Sequence, residues 1–370
     1  MRIGIDTREL SGRPTGVGRY LRELLARWQA APACAGTELV LFTPDTRLGA
    51  SVPAHGPGAR ATWQVVPGAG GTVWEQRDLA HAARTAGLDA FFAPAYTAPL
   101  FTSVPLVVAM HDVSFAAHPE WYAWRHGVRL RRLARWSARR AHAVLTLTHF
   151  SATEIERYLG ISAERIHVIP LAVDYHDAAP AAVEPAPMTP VVLFVGSIFE
   201  RRHLPLLIEG VALARRALPA LHLEIIGENR TAPRQDLVAL ARSLGAEDAV
   251  RMRDYLPDAA LELAYAGAGV FAFLSEYEGF GLTPLEAMRH RVPTVVLDTP
   301  VARDVYGDGA RYVPAGDAAA VADALVALLT DRAQRTRQIA AGDAAVRRYR
   351  WDDAAAATWA AIAAAAGTRS

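Results

Sequence analysis

Short apolar runs of strand length alternate with helical stretches along the chain, and the alternation runs through twice. MRIGIDT precedes a helical stretch near residues 17–28; TELVLFT and TWQVVP follow; residues 73–86 read as a helix; LDAFFAP, PLVVAMHD, AHAVLTLT and IHVIPLAVD complete the first set. Uninterrupted apolar strands between helices are the pattern of a parallel sheet covered on both faces. Residues 177–190, DAAPAAVEPAPMTP, are rich in Ala and Pro and read as a linker. The pattern then restarts with VVLFVG, LHLEIIG, VRMRDYL, GVFAFLS and VPTVVLD, each followed by a helical segment. The expected fold is α/β, with two Rossmann-like doubly wound parallel-sheet domains, residues 1–176 and 191–350, facing across a cleft. The Ala-rich segment 351–370 is expected to pack back on the first domain.

Composition fits this and narrows the partners. A chain of 370 residues that is 52% hydrophobic can bury two cores. The net charge of +1 gives no general argument for nucleic acid. Every basic residue is arginine, so an arginine is available for work elsewhere given to lysine. Cys34 is alone, which excludes an intramolecular disulfide and a thiolate metal cluster and fits a reducing cytoplasm. The amino terminus reads as a strand and lacks the pattern of a signal peptide. Residues 90–110 carry no charge, but Pro94, Pro99 and Pro105 favour strand, loop and strand over a membrane span.

Ligands of such sheets bind at the carboxyl ends of the strands, so polar motifs there are the candidates. SEYEGFGLTPLEAM, residues 275–288, follows the apolar run GVFAFLS. Thr283, Pro284 and Glu286 read as N-cap, first helical residue and capping-box partner, which predicts a helix start and an anion-favouring end. Glu286 has that local job to do; Glu278 has none and is the stronger functional candidate. SGRPTGVGRY, residues 11–20, places Gly16 and Gly18 between a strand and a helix, where backbone can approach a ligand. A third glycine is missing, and the alternative is a plain turn. His111 and Asp112 end PLVVAMHD; the imidazole can donate to a sugar hydroxyl or share a proton, while Asp112 can simply cap the strand end. In VGSIFERRHLPL, Arg201 and Arg202 precede a helix and can neutralise a diphosphate without a metal, or form a solvated basic turn. Residues 120–143 read as one helix with seven arginines between Arg125 and Arg140, interleaved with Trp121, Trp124 and Trp136. Such a helix can meet an anionic membrane surface or be a core helix with a solvated face.

Taken together, these segments resemble the retaining glycosyltransferases of family 4, the group-1 enzymes of GT-B fold, and their mannosyltransferase-like branch. The resemblance is carried by TGVGRY, WEQ at 74–76, HDVSFAAHPEW from His111, RYLGIS through VIPLAVD, FVGSIFERRHLPLLIEG, YEGFGLTPLEAM and RYRWDDAA. It implies a nucleotide sugar on the second domain and an acceptor on the first. It places Glu278 beside the transferred sugar, Glu286 on the ribose, and the amides of Gly279, Phe280, Gly281 and Leu282 near phosphate and sugar. Arg202 stands where the family has a phosphate-binding lysine, with Arg201 as its neighbour, and His111 matches a sugar-facing histidine. Gly16, Gly18, Ser197 and Leu256 complete the implied donor contacts. Ser197 replaces a second phosphate-binding arginine of many members, Glu200 a proline, Asp254 a glycine of the base-binding loop and Asp304 a glutamate.

The implied reaction moves a hexose, mannose-like, from GDP-mannose or a UDP-sugar to the hydroxyl of a glycan, lipid-linked or small-molecule acceptor. It proceeds with retention, needs neither metal nor other cofactor, and is completed as the two domains close. The other class compatible with the fold is a sugar-nucleotide epimerase or a non-transferring binding protein. No acid–base pair for epimerisation stands out.

Overall fold

The computed structural model describes residues 1–12, 16–48, 56–173 and 189–368. Most of the expected linker at 177–190 therefore lies outside the described residues. The chain forms two compact units: Met1–Leu171 together with Trp351–Ser370, and Ala172–Arg350.

Among the described residues the first unit holds seven strands: β1 (Arg2–Asp6), β2 (Glu38–Thr43), β3 (Arg60–Val65), β4 (Ala90–Ala93), β5 (Leu106–Ala109), β6 (Ala143–Thr146) and β7 (Ile166–Val168). They pair in the order β3-β2-β1-β4-β5-β6-β7, all parallel. The chain runs outward from β1 to one edge, then returns to β4, which creates a switch point between β1 and β4. Every residue of β4, β5 and β6 is buried, as strands covered on both faces must be. The uncharged residues 90–110 are β4, a loop and β5. Among the described residues no helix is long and apolar enough to cross a membrane.

The helix Trp351–Gly367 belongs to this unit. Its alanines let it approach the helix Gly16–Ala30 closely: Trp28 donates its indole N–H to the carbonyl of Ala355 at 2.9 Å, and Trp28 and Trp359 lie 5.5 Å apart. The basic helix is shorter than the sequence suggests. Pro119 opens a separate turn over Pro119–Trp121, Ala123 is extended, and the helix runs Trp124–Arg140.

The second unit holds β8 (Val191–Val195), β9 (His222–Ile226), β10 (Val250–Arg253), β11 (Val270–Phe273), β12 (Thr294–Leu297) and β13 (Ala310–Val313). The order is β10-β9-β8-β11-β12-β13, again parallel, with its switch point between β8 and β11. Phe194, Phe271 and Phe273 stack through the middle of this sheet with ring centroids 5.8 and 6.4 Å apart. Burying one such side chain contributes about 1.5–3 kcal/mol, so β8 and β11 are firmly fixed, and with them the loops that leave their ends.

Candidate functional site

Both loops at the switch point of the second sheet carry charge. After β8 the chain turns at Gly196 (φ 140°), a conformation that favours glycine, and a Cβ there would come within 2.6 Å of Nη1 of Arg202 and push the guanidinium aside. Arg202 ends a short turn, Glu200–Arg202, and His203 follows at φ 44°, a left-handed residue that starts the helix Leu204–Ala214. Strain of this kind, held in place by a contact of His203 Nε2 with Glu276 at 2.9 Å, aims Arg202 back across the strand ends.

Arg202 meets Glu278 there. Its Nε and Nη2 donate to Oε1 of Glu278 at 2.9 and 2.8 Å, and Nη1 donates to the Ser197 carbonyl at 2.7 Å. Ser275 Oγ donates to the same Oε1 at 2.9 Å. The guanidinium lies over Phe273, 4.9 Å from the ring centre, and Arg201 lies over Phe199 at 4.4 Å. A guanidinium has five N–H donors. Three are committed among the described residues, which leaves one on each terminal nitrogen. The two side chains are 14% and 18% exposed, enough to reach a ligand and buried enough to be weakly screened.

The glycine turn after Glu278 differs from the capping box expected from sequence. The helix spans Leu282–Arg289, its N-cap is Gly281 at φ 84°, and no side chain caps it. Tyr306 explains the difference. Its hydroxyl donates to the Gly281 carbonyl at 2.9 Å, and a Cβ on Gly281 would lie 2.1 Å from that oxygen. The turn is fixed from outside, so the helix starts before Thr283, and Pro284 falls at its third residue, where a missing N–H costs no helical bond. Glu286 is thus the fifth residue of the helix and not the third, as a capping box requires; Tyr265 donates to its Oε2 at 2.9 Å, and the Tyr265 ring stacks on His290 at 5.3 Å. Gly279 and Phe280 are buried, Leu282 opens the helix, and Leu256 packs against the core of this unit.

At the strand ends of the first unit the groups are mostly buried. His111 follows β5, is 7% exposed, and shares a hydrogen bond of 2.7 Å between Nε2 and the Pro94 carbonyl. A carbonyl only accepts, so Nε2 carries the proton and Nδ1 of the neutral ring is an acceptor. Burial pushes the imidazole below its ordinary value, outweighing the Pro94 carbonyl and the nearby Asp112. The expected donor to a sugar hydroxyl is thus corrected: Nε2–H is already used. The ring sits edge-on to Tyr20 and Tyr96, 5.1 and 5.8 Å away. Asp112 takes the capping role, accepting from the Ser114 amide at 2.8 Å and hydroxyl at 2.6 Å, and from Tyr96 at 3.2 Å. Gly16 and Gly18 are the first and third residues of the helix Gly16–Ala30, not a loop; Gly18 is buried, and a Cβ on Gly16 would meet nothing within 4 Å.

Sequence reading missed two features of this unit. Tyr96, which flanks His111, holds φ 59°, a conformation rare for a bulky residue and frequent at functional sites. At the switch point, Arg8 bridges the buried Asp6 and Glu75, with Nε 2.8 Å from Asp6 Oδ2, and Thr97 donates to Glu75 at 2.6 Å. Burial raises Asp6, against the pull of Arg8. The polar letters in MRIGIDTREL and WEQ, in otherwise apolar surroundings, were the available signal.

Two parallel sheets of this order, each with polar groups at its strand ends, are the α/β units of a GT-B fold. The family models agree: residues 177–344 match glycosyl transferases group 1, and residues 14–177 match Glycosyltransferase Family 4. The chain belongs to the group-1 glycosyltransferases of GT-B fold. Among similar proteins, O-antigen chain mannosyltransferase B of Escherichia coli is 28% identical over 67% of this chain and 67% of its own. Phosphatidyl-myo-inositol mannosyltransferase of Mycobacterium leprae is 33% identical over 48% of each chain, so that match spans about half its length. The structure of Anabaena Alr3699/HepE in complex with UDP and glucose superposes with a TM-score of 0.71 at 20% identity, covering 98% of this chain and 100% of that one.

Proposed function

We propose that the protein moves a hexose, mannose-like, from a nucleotide-diphosphate sugar, GDP-mannose or a UDP-sugar, to a hydroxyl of a glycan, glycolipid or small-molecule acceptor. The observation that carries this reading is the Arg202–Glu278 pair with two guanidinium N–H donors left over. As the bond between the anomeric carbon and the diphosphate oxygen breaks, charge grows on that oxygen. Arg202, with Arg201 and the start of the helix at Leu282, stabilises it, which is usually the largest catalytic contribution. In this reading the guanidinium takes the charge-neutralising part of a divalent ion. Glu278 positions the transferred sugar and holds Arg202; Glu286 accepts from the ribose; Ser197, Leu256 and the amides of residues 279–282 complete the donor contacts of the second unit.

The acceptor oxygen bonds the same face of the anomeric carbon, its proton passes to the departing phosphate, and the configuration is retained. His111, neutral, accepts through Nδ1 from a sugar hydroxyl. Mannose is favoured by the names of the two mannosyltransferases above. A cytoplasmic place of action fits the lone buried thiol of Cys34 and the donor class.

The test is release of nucleoside diphosphate from GDP-mannose and UDP-sugars, with and without an acceptor extract and with and without EDTA. Acceptor-dependent release, unchanged by EDTA and lost in Glu278→Ala at an unchanged melting point, is expected. Binding without turnover would leave a non-transferring protein, and near wild-type turnover of Glu278→Ala would remove that residue from the site.

A further inference from the structure

The segment that opens the helix Leu282–Arg289 holds two helix starts that exclude each other. In one, Thr283 would cap the helix: its hydroxyl would accept from the amide of Glu286, and the Glu286 carboxylate would reach back to the amide of Thr283. In the other, which the structure adopts, the helix begins at Leu282 after Gly281, and no side chain caps it. The adopted start leaves Thr283 Oγ1 buried without a hydrogen-bond partner among the described residues. A buried hydroxyl in that condition is destabilising, and the capped start would remove the cost. A contact from outside the helix must therefore favour Leu282.

Tyr306 supplies that contact. Its buried phenol donates to the Gly281 carbonyl at 2.9 Å and lies 3.4 Å from the Phe280 carbonyl. Burial first, then the carboxylate of Glu278, pushes the phenol well above its ordinary value, so the oxygen keeps its proton and remains a donor. The ring is placed by its own helix, Pro300–Tyr306. Thr299 caps the start of that helix, accepting from the Ala302 amide at 3.2 Å, and near its end the Val305 carbonyl accepts from Tyr349 at 2.8 Å and from Arg348 at 2.7 Å. Tyr349 also stands edge-on to Phe280, with ring centres 5.1 Å apart, so both Phe280 and Gly281 are held from outside their own helix.

We infer that Tyr306 is a positioning residue of the donor site: its hydroxyl selects the helix start at Leu282 and so keeps the Glu286 carboxylate out of the cap and on the side of Tyr265. The inference rests on the reading above, in which Glu286 accepts from the ribose and the amides of residues 279–282 meet the diphosphate and sugar. Tyr306 acts there through the backbone of the turn and not on the donor itself. Without its hydroxyl the two starts compete, and only a fraction of the molecules holds the one that binds donor. Apparent affinity then falls by that fraction, while saturating donor draws the population back.

The experiment is Tyr306→Phe in the full chain, which keeps the ring and removes one hydroxyl, followed by calorimetric titration with GDP and with UDP, turnover kinetics and a crystal structure of the variant. Affinity for the diphosphate that the wild type binds should fall about fivefold, because a buried carbonyl loses its donor. KM for the sugar donor should rise by the same factor with kcat nearly unchanged, a split that simple loss of folded protein would not produce. The crystal structure should show the helix starting at Thr283. Adding Thr283→Val removes the rival cap and should recover most of the affinity. Thr283→Val alone should melt no lower than the wild type, since the hydroxyl it removes is unpartnered. A start retained at Leu282 in Tyr306→Phe, a fall in kcat with KM unchanged, a loss that Thr283→Val does not recover, or a lower melting point of Thr283→Val alone would each overturn the inference. If the wild type binds neither GDP nor UDP, the proposed function fails, and the helix start in Tyr306→Phe still decides the inference.

Discussion

At the switch point of the second sheet a guanidinium and a carboxylate, Arg202 and Glu278, meet while partly open to solvent. At the end of β5 in the first sheet an imidazole, His111, sits neutral and almost fully buried between two tyrosine rings. Both sheets are wound alike, so topology does not decide this. What differs is how each group meets the cost of leaving water. The charged pair keeps its charges by satisfying them mutually and by stopping short of full burial. The imidazole gives up its charge, and its proton is placed on Nε2 by one backbone carbonyl. In the proposed reaction one end stabilises charge that develops on the donor, and the other presents a neutral acceptor to a hydroxyl.

The largest effect should come from removing the charge at the second sheet. Arg202→Ala takes away the proposed leaving-group stabiliser and also leaves Glu278 without its cation. A loss of about 10²–10³ in kcat is expected, as for other single electrostatic donors. Arg202→Lys should recover part of it, since the charge returns without the fork that grips Glu278. A kcat within severalfold of wild type in Arg202→Ala would place leaving-group stabilisation elsewhere.

A smaller effect is expected at the first sheet, and it appears in stability against pH. The folded His111 lies below the ordinary imidazole value of 6.5 because of burial. As pH falls through 6.5 the unfolded chain takes up this proton before the folded one does. The stability that a neutral His111 allows is therefore complete above 6.5 and declines as pH drops from there towards the folded value. Thermal melting should fall with pH in that window, and His111→Gln should show a shallower fall. Equal slopes would mean that His111 is no harder to protonate folded than unfolded.

The strands, the two sheets and the Arg202 and Glu278 segments were legible in the sequence because each is a local pattern: an apolar run, then a glycine, then charge. What was misread depends on distant partners. The helix at Leu282 starts early because Tyr306, 25 residues on, holds Gly281. The tautomer of His111 is set by Pro94, 17 residues earlier, and the partner of Arg8 is Glu75, 67 residues away. Spacing along the chain carries no trace of such pairings. The capping expected of Glu286 fails for the same reason: the helix starts at Leu282, and the contact with Glu286 comes from Tyr265 on a different helix, Asp258–Gly267.

The most direct measurement is a double-mutant cycle on turnover with Arg202→Gln, Glu278→Gln and the combined variant. If the two side chains act as one unit, the combined loss is far smaller than the product of the single losses, a coupling of about 1–3 kcal/mol. Losses that multiply, with no coupling, would mean that the contact between Arg202 and Glu278 has no part in catalysis.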